Sequence, residues 1–262
     1  MATTWVRNSP GIRLTIIGLL TFILFIGSLI IRDLISEREH RRIEAVSEVS
    51  EKWGKAQVIS GPVLTIPYLV YFKKNNDEVY SSTYYAHFLP ENLDIKGEVD
   101  PQIRRRGIYE IVLYGSRLQL SGNFTLPDFS LLNIMDKDIL WNDAFLGIGV
   151  SDMVGIQDVI KIKWNKDEFK ANPGIETNDV FSTGLSAPVS VNKNEPGYTF
   201  SISLDINGSE SLMFTPVGQK SEANISSTWE NPGFDGRYIP DDHQITDQGF
   251  TANWKILHLN RD

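Results

Sequence analysis

The stretch YTFSISLDING, residues 198–208, decides the fold class because its side chains alternate between apolar and polar. Successive side chains of an extended strand point to opposite faces, so this stretch has one apolar face and one polar face. That pattern is typical of an antiparallel sheet that covers a core on one side and meets water on the other. The pair Asn207-Gly208 predicts a tight hairpin turn, since both residue types tolerate positive φ.

The same alternation recurs on both sides of this stretch. Three segments each predict one strand: VIKIKW (159–164), ANISSTWE (223–230) and FTANWKI (250–256). A longer segment, GIYEIVLYGSRLQLSGNF (107–124), predicts two strands that meet at Gly115-Ser116.

A hairpin is predicted earlier in the chain, where VLTIPYLVYF (63–72) and VYSSTYYAHFL (79–89) flank the polar KKNNDE (73–78). Pro67 favours an edge or a bulge in the first of these strands. Together the strands predict a mainly β protein with an antiparallel β-sandwich-like domain over residues 56–262. The polar segment NKDEFKANPGIETNDV (165–180) predicts a loop, and one alternative makes it the seam between two β subdomains.

The N-terminal stretch GIRLTIIGLLTFILFIGSLIIRD (11–33) has no charge between Arg13 and Arg32. As a helix, Leu14–Ile31 would measure about 27 Å, close to the bilayer core. A signal peptide has a shorter apolar region and a small-residue cleavage site, which is absent here. We therefore expect residues 14–31 to be a membrane anchor in contact with the lipid bilayer, rather than a buried core helix, behind a tail of residues 1–13.

The anchor continues into DLISEREHRRIEAVSEVSEKWGK (33–55), which has helical composition. Glu37–Arg41, Glu48–Lys52 and Glu51–Lys55 are pairs at the i,i+4 spacing that stabilises a helix. We expect a helical stalk over residues 32–55. A partner-binding coiled coil is the alternative, but sustained heptads are lacking.

Charge alone leaves the orientation of the anchor open. Arg7 and Arg13 precede the apolar run, and more basic residues follow it: Arg32, Arg38, Arg41, Arg42, Lys52 and Lys55. The positive-inside rule would place the C-terminal side in the cytoplasm, yet long domains translocate largely regardless of charge.

Composition narrows the possible partners. Without Arg7, Arg13 and Arg32, 22 of the 25 Lys and Arg residues remain against 33 acidic residues, a net charge of −11. This balance argues against nucleic acid and anionic lipid head groups as partners. The chain has no cysteine, which excludes a thiol nucleophile, a Cys-ligated metal and a disulfide.

The sequence contains no convincing catalytic motif. In GIGVSDM (147–153), Ser151-Asp152 comes closest to a nucleophile elbow, but Met153 replaces the second glycine, so we expect a turn at the end of a strand. Arg104–Arg106 could hold an anionic ligand, although Pro101 and Gly107 favour a solvated loop. Carboxylates are abundant, and no spacing singles out a glycosidase-like pair.

The histidines His40, His87, His243 and His258 show no metal-ligand spacing. Asp241, Asp242 and His243 are adjacent, but neighbouring side chains of an extended segment point apart. We expect an exposed turn there after Pro240. The sequence therefore predicts no catalytic, cofactor-binding or metal-binding residue.

Several blocks occur in a specific order behind the anchor: SGPVLTIPY, HFLPENLDIKGEV, RRRGIYEIVLYGSRLQLSGNF, GIGVSDMVGI and SSTWENPGFDGRYIP followed by GFTANW. From about residue 14 to the C-terminus the chain thereby resembles the CreD family of bacterial inner-membrane proteins, also called the colicin-tolerance family. None of these blocks is a catalytic motif.

The resemblance implies a cytoplasmic tail, a periplasmic domain over residues 32–262 and then further membrane helices. It also implies a role in envelope integrity and in tolerance to colicins and β-lactams, under a sensor kinase and response regulator. No second hydrophobic run precedes Asp262, so we expect a truncated product, a natural short variant or a fragment.

Three functions are compatible with these features. The first is a non-enzymatic envelope protein that binds an envelope protein or a cell-wall component, with WENPGFDGRYIP (229–240) and Arg104–Arg106 as candidate contact regions. The second is an envelope enzyme such as a carboxylate-based glycan hydrolase, which requires a carboxyl group whose pKa is raised by burial. The third is a spacer or an assembly surface.

Overall fold

One long helix and a set of β-strands make up the computed structural model, which describes residues 10–73, 79–132 and 134–260. Helix α1 spans Pro10–Trp53. Its apolar window has a mean hydropathy of 2.7 and none of it is buried, so it is no core helix of a soluble domain. The predicted membrane helix and the predicted stalk are thus parts of one helix. Most of the predicted tail, residues 1–9, lies outside the described residues.

Helix α1 ends where the sequence places a glycine. Gly54 has a φ of +136°, which an L side chain rarely adopts, and its amide donates to the carbonyl of Ser50. The i,i+4 pair Glu37–Arg41 forms, with 2.6 Å between Oε1 and Nη2. Lys55 lies beyond the helix, so the helical spacing to Glu51 does not apply to it.

The chain divides into two compact units, one up to Glu48 and one over Val49–Asp262, so the last helical turn belongs to the β unit. Within the described residues the strands are β1 Gln57–Lys73, β2 Val79–Phe88, β3 Asn92–Arg106, β4 Tyr109–Thr125, β5 Phe145–Val150, β6 Lys161–Trp164, β7 Asp167–Lys170, β8 Asn172–Pro173, β9 Gly184–Pro188, β10 Gly197–Ser209, β11 Leu212–Thr215, β12 Lys220–Ser227, β13 Asp242–Thr246 and β14 Gly249–Leu257.

These strands form two sheets. The larger sheet has the order β13-β14-β12-β3-β4-β10-β6-β7. The smaller sheet has the order β11-β1-β5-β9-β8, and β2 also pairs with β1. Most neighbours are antiparallel as predicted, but β1–β11 and β3–β12 are parallel pairs.

The core lies between the two sheets, as a sandwich requires. The larger sheet contributes Leu118 and Leu120 from β4 and Ile202 from β10, and the smaller sheet contributes Leu64 and Leu146. All five side chains are at least 98% buried. The alternation that predicted β10 is confirmed over residues 198–206, where the apolar residues are buried and the polar residues are exposed or half-buried.

The predicted strands β6, β12 and β14 are confirmed, and so is the hairpin of β1 and β2, in which Lys73 pairs with Val79. Its tip, residues 74–78, lies outside the described residues. Pro67 follows Thr65, the last residue of β1 that pairs with β5, but it is no free edge, because its oxygen accepts a hydrogen bond from the amide of Leu140 at 2.9 Å. The irregular pairing of β1 with β5 lies instead between Ser60 and Val63.

Two predicted turns are wrong. β10 continues through Asn207-Gly208 to Ser209 and pairs there with β4, and the chain turns only at Glu210, where φ is +63°. Gly208 is needed for close packing rather than turning, because a Cβ there would lie 2.2 Å from the hydroxyl of Tyr114.

Gly115-Ser116 is likewise no turn, because β4 is one uninterrupted strand. At Gly115 it is paired with β3 through Asp100 and with β10 through Asn207, and two neighbours keep it extended. The segment 165–180 is not a simple loop either. It contains β7 of the larger sheet and β8 of the smaller one, so it carries the chain from one sheet to the other.

Candidate functional site

The last turn of α1 is attached to the β domain through Trp53. Its indole Nε1 donates a hydrogen bond of 3.1 Å to the backbone oxygen of Tyr114 in β4. The guanidinium of Arg104 lies 5.9 Å from the centre of the Trp53 ring, within the range of a cation–π contact. Arg104 pairs with Ile111, which is buried in β4 but lies outside the main core cluster. The end of helix α1 and the strand pair β3–β4 thus form one attachment point, which we call the stalk junction.

Gln57, the first residue of β1, is the polar centre of the stalk junction. Its side chain is fully buried, and its Nε2 donates to the backbone oxygens of Asp152 and Asn207 at 2.9 and 3.1 Å. Its Oε1 accepts from Ser151 Oγ and from the amide of Asp152, both at 3.3 Å. One side chain therefore satisfies groups from β10 and from the turn after β5. A buried amide with all of these partners fixes one arrangement of the three segments.

Glycines permit the close approach of these backbones. A Cβ on Gly155 would lie 2.2 Å from the oxygen of Asn207, and a Cβ on Gly54 would lie 2.5 Å from the same atom. Two buried hydroxyls of the same region, Ser50 Oγ and Ser209 Oγ, have no hydrogen-bond partner among the described residues. Burial of the phenol raises the pKa of Tyr114, whose hydroxyl donates to Ser211 O at 2.7 Å.

Ser151 and Asp152, the closest match to a catalytic pair, serve this junction. Ser151 Oγ donates to the oxygen of Ala56 at 3.0 Å. The carboxylate of Asp152 accepts from the amides of Lys55 and Val154 at 2.8 and 3.1 Å. Val154 lies in a short 3-10 turn, Met153–Gly155. The predicted turn after a strand is confirmed, and both side chains are engaged in holding backbone.

Arg104–Arg106 lie in the exposed end of β3, so the prediction of a loop is wrong. Arg105 forms an ion pair with Glu110 across the strands, with 2.7 Å between Nη2 and Oε1. With Arg104 over Trp53, two of the three arginines support the hairpin and the stalk junction.

The adjacent residues Asp241, Asp242 and His243 are not grouped around one point. Asp241 accepts a hydrogen bond of 2.6 Å from the amide of Lys255, whereas Asp242 and His243 lie in the exposed strand β13, so the turn expected there is wrong. His87 Nδ1 is 3.0 Å from Thr65 Oγ1. Within the described part of the chain, no group of three His, Cys, Asp or Glu side chains is placed to hold a metal ion.

The loop WENPGFDGRYIP packs against β13 and β14. The ring of Phe234 makes edge contacts with the rings of Phe250 and Trp254 at 5.6 and 5.7 Å. Trp254 Nε1 donates to the oxygen of Tyr238 at 3.2 Å. Much of the aromatic character of this candidate contact region is therefore used in packing within the protein.

A cleft of about 730 Å³ opens in the outer face of the larger sheet, and sequence reasoning missed it. It lies where β12 ends at Ser227, opposite Val99, while its parallel neighbour β3 continues to Arg106. Most of its lining side chains are polar: Glu98, Asp100, Ser116, Arg117, Gln157, Asp205, Asn207, Ser226, Ser227, Thr228, Gln244, Thr246, Gln248 and Thr251. No local signal predicts this gap, because it depends on the relative lengths of two distant strands.

Among the described residues, the carboxylates whose pKa is shifted are shifted downward. Hydrogen bonds lower the pKa of Asp128, Asp136, Asp179 and Glu222. A glycosidase acid requires a shift in the opposite direction. In the cleft, Glu98 forms an exposed ion pair with Arg117, at 2.7 Å.

These features define a class of protein: a β-sandwich attached to an apolar N-terminal helix that is long enough to cross a membrane. The chain belongs to the family of Inner membrane protein CreD, whose family model matches residues 9–262. It is 27% identical over 237 residues to "Inner membrane protein CreD" of Escherichia coli (strain K12). This match covers 89% of the chain and 52% of the relative, so the chain spans about half of the relative's length. The family and the apolar helix together indicate an inner-membrane protein.

Proposed function

We propose that this protein is a non-enzymatic envelope protein whose β domain lies in the periplasm and binds or assembles with an envelope component. In this proposal residues 1–13 form a cytoplasmic tail, residues 14–31 cross the bilayer, residues 32–55 form the stalk and residues 56–262 form the periplasmic domain. The CreD resemblance supports this orientation and also a contribution to envelope integrity and to colicin and β-lactam tolerance under two-component control.

The observation that carries the proposal is the stalk junction. Its polar side chains bind backbone groups: Trp53 binds Tyr114, Gln57 binds Asp152 and Asn207, and Ser151 binds Ala56. Each buried polar group of such a network must be matched, so the network fixes how the last turn of α1 is held against the strands of the β unit. An anchored module that is held in this way suits binding or assembly at the membrane.

The orientation is tested with an epitope fused after Asp262, probed with protease in intact cells, spheroplasts and lysed membranes. We expect cleavage in spheroplasts but not in intact cells. Protection until lysis would place the domain in the cytoplasm and remove the envelope function.

The role is tested by deleting the gene and measuring growth with colicins and β-lactams. We expect altered tolerance that the wild-type chain restores. A chain with Gln57→Ala should restore it less well if the stalk junction matters. Unchanged tolerance in the deletion strain would contradict the proposed role.

A further inference from the structure

Some polar side chains of the cleft are paired within the protein, since Ser226 Oγ donates to Gly97 O and Thr246 Oγ1 donates to Gly249 O, and others are not. Outside the cleft, Gln119 Nε2 donates to Ser201 Oγ, and Gln119 Oε1 accepts from Ser203 Oγ, both at 2.8 Å. Gln119, Ser201 and Ser203 thus satisfy hydrogen-bonding groups of one another. In the cleft, the side chains of Gln244, Thr251, Asn207 and Thr228 have no hydrogen-bond partner among the described residues. Their donors and acceptors are available to a ligand.

The cleft is lined by polar groups from separate strands. Gln244 of β13 and Thr251 of β14 are directly opposite each other. Asn207 of β10 reaches the cleft from the other side of the gap that β12 leaves beside β3. The volume of about 730 Å³ falls within the range of small-ligand sites, roughly 300–1,000 Å³.

Charge and polarity restrict the class of ligand. Arg117 neutralises Glu98, while Asp100 and Asp205 have no cationic partner in the described part of the chain. Uncompensated carboxylates disfavour an anion. The apolar lining side chains are Val99, Ile206 and Phe250, and Ile206 is almost fully buried.

We propose that this cleft binds a neutral saccharide, a short glycan segment rich in hydroxyl groups. The hydroxyls of a sugar both donate and accept hydrogen bonds, as amide and hydroxyl side chains do, and carboxylates accept from them. The inference rests on the proposed function to the extent that a periplasmic domain would meet the glycan of the cell wall.

The test uses the full chain in lipid nanodiscs of phosphatidylcholine, since common alkyl-glycoside detergents carry a sugar themselves. Tetra-N-acetylchitotetraose is titrated and its binding is measured by calorimetry, with empty nanodiscs as the blank. We expect saturable binding that is weakened at least fivefold by the double substitution Gln244→Ala and Thr251→Ala. Gln119→Ala, on the same face but outside the cleft, should leave the affinity within twofold.

Two binding results and one control result would overturn the inference. One is a folded wild-type chain, verified by circular dichroism, that binds no saccharide. The other is preferential binding of tetralysine that is lost in high salt and in Asp205→Asn, which would make the cleft a cationic-peptide site. Equal weakening by the cleft variant and by Gln119→Ala would also contradict it.

The binding assay tests the cleft and the topology assay tests the location of the domain, so either proposal can be disproved while the other is retained. Saccharide binding together with a cytoplasmic domain would retain the cleft and disprove the envelope function. A periplasmic domain without saccharide binding would retain the envelope function and disprove the role of the cleft.

Discussion

The indole of Trp53 at the end of α1 donates a hydrogen bond of 3.1 Å to the backbone oxygen of Tyr114, in the middle of β4. Tyr114 in turn donates from its hydroxyl to Ser211 O, close to the start of β11 in the other sheet. A single strand residue therefore connects the end of the helix with both sheets. Changes at this point should affect the stability of the whole β domain.

Trp53→Phe should destabilise the domain by about 1 kcal/mol, because it removes the indole donor but retains an aromatic ring. For a domain of this size that corresponds to a decrease in Tm of about 2–4 °C. Thermal unfolding of the full chain in nanodiscs measures it. Trp229→Phe is the matched control, since the indole of Trp229 binds Asn231 O only two residues away. Equal effects of the two substitutions would contradict the role of Trp53.

Gly155→Ala should destabilise the domain by about 3 kcal/mol or more, because the new methyl group would lie 2.2 Å from Asn207 O and 2.6 Å from Gln57 Nε2. The added methyl group would lie between the backbone of Asn207 and the fully buried amide of Gln57, and neither neighbour has room to move away from it. Gly233→Ala, where no atom lies within 4 Å of the added Cβ, should change Tm little. A tolerated Gly155→Ala would show that the stalk junction can open.

Gln57→Ala should cost about 2–4 kcal/mol, since the carbonyls of Asp152 and Asn207 would lose a buried donor. Urea unfolding followed by circular dichroism measures this loss. Gln57→Glu should be no milder, because it would place a carboxylate among backbone oxygens. An unchanged unfolding midpoint in Gln57→Ala would argue that water replaces the amide.

Ser209→Ala should be neutral or stabilise the domain by up to about 1 kcal/mol. The hydroxyl is 1% exposed and has no hydrogen-bond partner among the described residues, so its removal abolishes a desolvation cost. Clear destabilisation in the same unfolding assay would mean that a bound water or a ligand satisfies this group. Ser116→Ala provides the contrast, because Ser116 Oγ donates to Ile206 O at 2.9 Å and its loss should destabilise.

Asp136 should make stability depend on pH in the acid range. Hydrogen bonds from Lys193 and then Trp141 lower the pKa of Asp136 below its ordinary value of 3.8. Its contribution is therefore present above pH 3.8 and is lost as the pH falls through the lowered pKa. Tm measured between about pH 6 and pH 2 should show Asp136→Asn to be less stable than wild type at the upper end, and the difference should shrink toward the lower end. A constant difference would contradict this assignment.

The sequence alone determined the elements whose signal is local. The uncharged run of residues 14–31 predicted a helix able to cross a membrane, and the alternation of Phe200, Ile202 and Leu204 predicted a half-buried strand. Each signal follows from the periodicity of one segment and requires no knowledge of its neighbours.

The tertiary structure decided what depends on distant segments. Asn207-Gly208 and Gly115-Ser116 have the composition of turns, yet they lie side by side in two extended strands because pairing between β4 and β10 outweighs local preference. The cleft exists because β12 ends at Ser227 while β3 continues. Strand partners and strand lengths are set by contacts between residues far apart in the chain, and no single segment of sequence contains that information.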